Sequence, residues 1–145
     1  MVAGFEDYVR RMPREARIEV TEIKPAPRSR QVPSAASISR ILAVERSRFL
    51  AALAPGCVRI ALDERGKQLT TAELARKLAL WMQGGQDVAF MIGSADGLDQ
   101  ELKDSADLLL GLSAMTLPHA MVRVLLAEQL YRAMSMIRNH PYHRE

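Results

Sequence analysis

Two short, almost wholly apolar runs constrain this chain more than anything else in it. Residues 87–92 carry Val88-Ala89-Phe90-Met91-Ile92, and residues 108–112 carry Leu108-Leu109-Leu110-Gly111-Leu112. Neither alternates polar with apolar, so neither suits a sheet that is wet on one face. Strands of this kind are buried on both faces, which requires a parallel sheet covered by helices. A third run, residues 57–62, alternates with Val58, Ile60 and Leu62 as its apolar positions.

The rest of the chain reads as elements around those strands. Phe5, Tyr8, Val9 and Met12 recur at helical spacing over residues 2–12, and Pro13 stops the run. Ile18, Val20 and Ile23 alternate with polar residues over 17–23, which predicts an edge strand. Residues 24–37 form a loop with Pro25, Pro27 and Pro33. An amphipathic helix follows over 37–53, with Ile38, Ile41, Leu42, Phe49, Leu50 and Leu53 inward, and with Arg40, Glu45, Arg46 and Arg48 mostly outward; Pro55-Gly56 ends it. Residues 63–66 make the exit turn of the 57–62 strand. Thr70 or Thr71 caps a helix to about Met82, Glu73 is placed to complete a capping box with Thr70, and Gly84-Gly85 ends the helix. Residues 93–97 are a turn, 99–107 a short helix, and 118–137 the last helix. This alternation of helices and four strands predicts an α/β domain with a mainly parallel sheet.

Length and composition bound the possibilities. A chain of 145 residues fits one domain around one core. The N-terminus has a charged residue by position 6 and no apolar signal segment, and no apolar run is long enough for a bilayer, so a cytoplasmic protein is expected. Cys57 is the only cysteine and is expected to be a buried strand residue; with three histidines it gives no metal-site spacing. The net charge of +3 is compatible with an anionic partner. Aromatics at 5% are too few for a platform stacking a run of bases.

Ligands of parallel α/β sheets bind beyond the carboxyl ends of the strands. Three such ends carry loop-forming residues: Leu62-Asp63, Gly93-Ser94 and Leu112-Ser113. The last leads into Ala114-Met115-Thr116-Leu117-Pro118, where Pro118 opens a long helix whose first N–H groups have no intrahelical partner. His119 beside this loop has two readings, a base at the site or a helix-start histidine making a local hydrogen bond. Lys24, Arg28 and Arg30 make the 24–37 loop basic: either a solvated connection or an arm that closes on phosphate. Met121, Val122, Val124, Leu125 and Leu126 are apolar almost in succession, which calls for burial on two sides and so for a partner subunit.

Four stretches together carry a resemblance: Phe90-Met91-Ile92-Gly93-Ser94-Ala95-Asp96-Gly97-Leu98, Leu112-Ser113-Ala114-Met115-Thr116-Leu117-Pro118-His119, Val122-Arg123-Val124-Leu125, and the ending Asn139-His140-Pro141-Tyr142-His143-Arg144-Glu145. From about Phe5 to Glu145 the chain resembles the bacterial ribosomal RNA large subunit methyltransferase H family of SPOUT methyltransferases. The resemblance implies a C-terminal trefoil knot, which pattern reasoning alone never predicts. It implies S-adenosylmethionine as cofactor, held by backbone groups at Leu62, Gly93, Ser94, Ser113, Ala114, Met115, Thr116, Leu117 and Pro118. It implies methylation of N3 of a pseudouridine in a stem-loop of 23S ribosomal RNA on the assembled ribosome, by a homodimer. The tail is then expected to complete the partner's site, with His143 as general base or proton relay, Arg144 on phosphate or on charge of the base, and Tyr142 stacked on the flipped-out nucleotide. Arg123 and His140 are expected to touch RNA as well.

Two departures accompany the resemblance. The family pattern begins with a strand ahead of the first helix, and this chain begins at about the helix. Family members commonly carry two glycines where Gly93-Ser94 stands; a positive φ at Ser94 would strain it. The alternatives to this function are a non-catalytic ribosome- or RNA-binding protein of the same fold, and a SPOUT methyltransferase acting on another RNA.

Overall fold

The computed structural model describes residues 2–28, 34–140 and 142. It is built from α1 (Val2–Arg11), α2 (Ala35–Ala52), β1 (Val58–Lys67), α3 (Thr71–Gln83), β2 (Val88–Met91), α4 (Gln100–Asp104), β3 (Leu108–Leu110) and α5 (His119–Ile137), with a short 3₁₀ turn over Arg14–Ala16. The strands form one sheet in the order β2-β1-β3, and both pairings are parallel.

The sheet is covered on both faces, as its apolar runs require. On one side of the central strand, Val58 and Ile60 pack with Leu110, and the α3 and α5 residues Leu74, Ala75, Leu78, Leu126, Leu130 and Ala133 form the layer above, against which Phe90 and Ile92 pack. On the other side Ala61 packs with Met91, Leu98 and Leu102, backed by Phe49 and Leu53 of α2. Ile60 and Ala61 are wholly buried, one in each layer. Burying a side chain the size of Ile60 contributes roughly 1.5–3 kcal/mol.

Local chemistry sets the helix limits. Ser34 caps α2 and forms a reciprocal pair with Ser37, so the helix starts two residues before the expected Ser37. Thr70 and Glu73 form the expected capping box on α3. Asp99 is the N-cap of α4, which ends at Asp104 rather than Asp107. At the end of α5, Asn139 takes φ 56°, its N–H reaches the Met136 carbonyl, and the His140 N–H reaches the Ser135 carbonyl. This left-handed closure redirects the chain after the helix.

Several expectations are corrected. Residues 17–23 form no strand. The segment lies against the helices, with Ile18 packed on the α3–α5 layer, and among the described residues no neighbouring strand supplies a ladder. Alternation marks one buried face, but a strand also needs a partner for its backbone groups. The sheet therefore has three strands among the described residues, not four. Residues 63–66 belong to β1 rather than following it: Leu62 and Lys67 both pair with Leu110, so the residues between them bulge out of register. Cys57 precedes the strand and is only half-buried. β2 begins at Val88 and ends at Met91, and β3 ends at Leu110, shorter than the apolar runs. Glu45, expected mostly outward, is buried.

Candidate active site

The three parallel strands deliver their carboxyl ends to one edge of the sheet, and the loops that follow are tied to one another there. The bulge of β1 crosses the exit of β3 so closely that a Cβ on Gly66 would lie 2.5 Å from the Leu110 carbonyl carbon, and one on Gly111 would lie 2.7 Å from the Gly66 oxygen. Only glycine permits that crossing. The Gly111 N–H donates to the Lys67 carbonyl at 3.0 Å. The Thr116 hydroxyl donates to Glu64, joining the loop after β3 to the bulge of β1. His119 Nδ1 lies 2.9 Å from the Gly93 carbonyl, so that nitrogen carries the proton and joins the start of α5 to the turn after β2. The bond spans 26 positions, so it is not the local one expected at a helix start. Lys103 pairs with Asp63 at 3.0 Å, fixing the bulge from α4. Burial pushes the Asp63 carboxyl up, but the Arg65 N–H and the Lys103 ammonium outweigh it and hold the group below its ordinary range.

Gly93, Ser94, Ser113, Ala114, Met115, Thr116, Leu117 and Pro118 thus lie on the loops at this one edge, and Leu62 lies within β1 just before its bulge. A Cβ on Gly93 would come within 2.5 Å of the Gly97 carbonyl carbon, which makes glycine obligatory there. Ser94 bears no strain: Asn139 is the one non-glycine with positive φ among the described residues. The turn closes through the Gly97 N–H on the Ser94 carbonyl at 2.9 Å, with φ +81° at Gly97.

The loop of residues 113–118 is held open. Ser113 Oγ accepts the Met115 N–H at 3.0 Å, whereas the N–H groups of Ala114, Thr116 and Leu117 have no internal acceptor among the described residues. Met115 is 77% exposed. A groove of about 170 Å³ lies between the start of α3 and the exit of β3, with Leu69, Leu74, Leu110 and Leu112 as apolar wall and Thr71 and Gln129 as polar rim; its lining stops at Leu112, short of residues 113–118. Backbone donors left open in this way suit a nucleoside without phosphates, which is read at its base edge. Among the described residues, no cluster of His, Cys, Asp or Glu is arranged to hold a metal.

Tyr142 sits elsewhere, at the other end of α5. Tyr142 packs edge-on against Tyr131 with ring centres 4.7 Å apart, lies under the Arg132 guanidinium, and shares its hydroxyl with Tyr8 and Glu128 at 3.3 Å each. Burial first, then Tyr8 and the Glu128 charge, push its phenol up from the ordinary value. His140 is exposed, and its Nδ1 accepts the Tyr142 N–H. Arg123, on the first turns of α5, pairs with Glu22 at 3.2 Å and stacks over Phe5 at 4.6 Å. His143 and Arg144, and also Arg30 and Pro33 of the basic loop, lie outside the described residues.

Sequence reasoning missed one cluster. Glu45 accepts the Ala26 N–H and the Arg28 guanidinium, and takes the Ser94 hydroxyl proton on its other oxygen; Arg28 also reaches Asp96. The signal was available. Ile38, Ile41, Leu42, Glu45 and Phe49 share one helical stripe, so Glu45 belongs to the apolar face and needs a cationic partner.

Comparisons with known proteins agree with this arrangement. The family model described as predicted SPOUT methyltransferase matches residues 1–143. The chain is 58% identical over 144 residues to a "Ribosomal RNA large subunit methyltransferase H" of Burkholderia vietnamiensis, covering 99% of this chain and 90% of the relative. Proteins of the same description from Burkholderia ambifaria and Burkholderia multivorans are 57% and 58% identical over the same share. With its three parallel strands, its joined loops and these matches, the chain belongs to the SPOUT methyltransferases, in the ribosomal RNA large subunit methyltransferase H family.

Proposed function

We infer that the chain uses S-adenosylmethionine to methylate N3 of a pseudouridine in a stem-loop of 23S ribosomal RNA on the assembled ribosome. The observation that carries this reading is the joining of the three loops beside unpaired N–H groups, in a chain 58% identical to a named ribosomal RNA methyltransferase. In this reading residues 1–145 act as one SPOUT domain in the cytoplasm, and the tight crossing at Gly66 and Gly111 belongs to a C-terminal trefoil knot.

The backbone of residues 113–118 would hold the adenine edge, with Leu62, Gly93 and Ser94 closing the other sides. S-adenosylmethionine, when bound, supplies a methyl group activated on a sulfonium centre. The chain's own residues then hold N3 in line with that group and relieve it of its proton. His143 takes the proton. Arg144 meets phosphate or the charge left on the base, which a planar guanidinium does well. Tyr142 stacks on the flipped-out nucleotide, exchanging its Arg132 contact for the base. Arg123 and His140 contact the RNA around it.

Two observations favour a homodimer with shared sites. α5 has 19 residues and so is roughly 28 Å long, with the donor loops at its start and the tail at its end. The tail's Tyr142 rests beside Glu128, more than two turns from His119 on the same chain. A second chain running the other way would bring its tail to these loops. Met121 and Leu125, one turn apart on α5, are 40% and 39% exposed beside the exposed Met115, an apolar surface suited to that second chain.

The test is to incubate the protein with labelled S-adenosylmethionine and ribosomes lacking the methyl group, then map the modified base. Methylation at the stem-loop pseudouridine, lost in His143→Ala and Arg144→Ala, is expected. Donor binding without transfer would mean a non-catalytic RNA-binding protein. Transfer to RNA without the stem-loop would mean another substrate.

A further inference from the structure

Residues 93–97 are held to the rest of the chain from two sides. From one side His119 of α5 donates to the Gly93 carbonyl. From the other, Ser94 Oγ donates to Glu45 Oε1 at 3.2 Å and accepts Arg28 Nη2 at 3.0 Å. Glu45 Oε2 takes the Ala26 N–H at 3.1 Å and Arg28 Nη2 at 3.3 Å. Arg28 also spans to Asp96 Oδ2 through Nε at 3.3 Å and Nη2 at 3.2 Å. The Glu45 side chain is 6% exposed, whereas Arg28 and Asp96 are 34% and 29% exposed.

A carboxylate this buried must be paired, and among the described residues its partners all belong to the donor turn or to the Pro-rich arm. None belongs to the hydrophobic layers that stabilise the sheet. The turn itself is too short to fix its own orientation: it has one closing backbone bond, from Gly97 to Ser94. Its aim relative to residues 113–118 therefore depends on what holds residues 93 and 94 from outside.

We propose that Glu45 is a positioning residue for the methyl-donor turn: through Ser94 it sets the aim of residues 93–97, and through Arg28 and the Ala26 N–H it ties the basic arm to that same turn. This rests on the donor-loop reading given above. Glu45 touches no donor itself; it acts through the Ser94 hydroxyl. The turn is thereby coupled to the arm: an arm drawn toward RNA phosphate takes Arg28 from Ser94 and Asp96 and loosens the donor turn.

The experiment measures the dissociation constants of S-adenosylmethionine and S-adenosylhomocysteine by calorimetry for wild type, Glu45→Gln, Ser94→Ala and the double variant, with melting temperatures and amide hydrogen exchange alongside. Each single variant is expected to weaken donor binding about tenfold. The double variant is expected to be no weaker than the worse single one, because both break one linkage. Exchange at residues 93–97 should speed up while α5 stays protected. A Glu45 that serves stability alone would lower the melting temperature and leave the dissociation constants within twofold of wild type, which overturns the proposal, as does multiplication of the two effects. If Glu45→Gln does not fold, Ser94→Ala decides by itself, since it removes one hydroxyl from a surface turn. If wild type binds no donor, the donor-loop reading fails and takes this proposal with it. If wild type binds and the variants bind equally, only this proposal fails.

Discussion

The two ends of α5 are held by opposite means. At its start, the chain brings glycine backbones close together, Gly93 against Gly97 and Gly66 against Gly111; single side chains, His119 and Thr116, tie the loops, and among the described residues the N–H groups at 114, 116 and 117 have no internal partner. At its end it relies on side chains: Tyr8, Tyr131 and Tyr142 packed together, Arg132 paired with Glu128 at 2.7 Å, and Arg11 beside two of the rings. A surface that presents backbone groups in fixed positions suits a ligand read by its edges. A surface closed by aromatic side chains suits anchoring of a segment. One helix thus carries a binding end and an anchoring end, and substitutions at the two should fail in different ways.

The largest effect is expected from Gly66→Ala. The new methyl meets backbone atoms of Leu109, Leu110 and Gly111 within 2.8 Å, and backbone cannot swing aside as a side chain can. Both β1 and β3 must shift, so a melting temperature lowered by 10 °C or more, or no folded protein, is expected from calorimetry. A mild effect would mean that the crossing does not fix the binding end.

Next comes Gly93→Ala, which is expected to abolish donor binding while leaving the Tyr8–Tyr131–Tyr142 cluster in place by near-ultraviolet circular dichroism. The comparison sharpens when this variant is mixed with Arg144→Ala. If each site takes its loops from one chain and its tail from the other, half of the dimers are hybrids, and each hybrid has one intact site. About a quarter of wild-type methyl transfer should return from two inactive proteins. No recovery after subunit exchange would place loops and tail of one site on the same chain.

Much of this was legible in the sequence, and the limits have physical causes. Apolar runs such as Val88–Met91 reported burial on both faces because periodicity depends on local residues alone. The capping box at Thr70 and Glu73 was equally local. Residues 17–23 misled because alternation says nothing about a ladder partner, and with Val20 at 49% exposure its apolar positions do not even share one covered face. The three loops were legible as strand exits, and the donor-binding role proposed for them came from the resemblance. Their ties were not: His119 to Gly93 spans 26 positions, Thr116 to Glu64 spans 52, and Arg28 to Glu45 spans 17. No periodicity encodes contacts between separate elements. Glu45 is different: it was expected mostly outward, although its place on the stripe of Ile38, Ile41, Leu42 and Phe49 carried a local signal of burial.

A smaller effect is expected where α2 meets the segment leading from the donor turn. Asp99 caps α4 and pairs with Arg46 at 2.8 Å. Burial pushes this carboxyl up, but the Arg46 hydrogen bond and the Glu101 N–H outweigh it, so it titrates below its ordinary value of 3.8. A depressed carboxylate stabilises the fold above its unfolded pKa and ceases to do so as pH falls through the folded one. Asn also caps helices well, so Asp99→Asn removes the charge and keeps the cap. A melting temperature lower by about 2–4 °C is expected at pH 7. The gap from wild type should close as pH drops below 3.8. A gap that persists in acid would point to the cap rather than the ion pair.

The smallest effect is expected at the anchoring end, from Tyr142→Phe. The ring keeps its edge-on contact with Tyr131 and its place under Arg132, and only two hydroxyl contacts of 3.3 Å are lost. Bonds of that length contribute little, so the melting temperature should fall by no more than about 2 °C. The phenol's raised pKa keeps it neutral below pH 10, and a group raised on folding stabilises fully below its unfolded value and loses that only above it. The difference from wild type should therefore be flat between pH 6 and 9. If Tyr142 serves by its ring, as anchor or stacking surface, Tyr142→Phe keeps methyl transfer within about threefold of wild type and Tyr142→Ala loses most of it. Loss of transfer in the Phe variant would move the hydroxyl from anchoring to chemistry, and would erase the division between the two ends of α5.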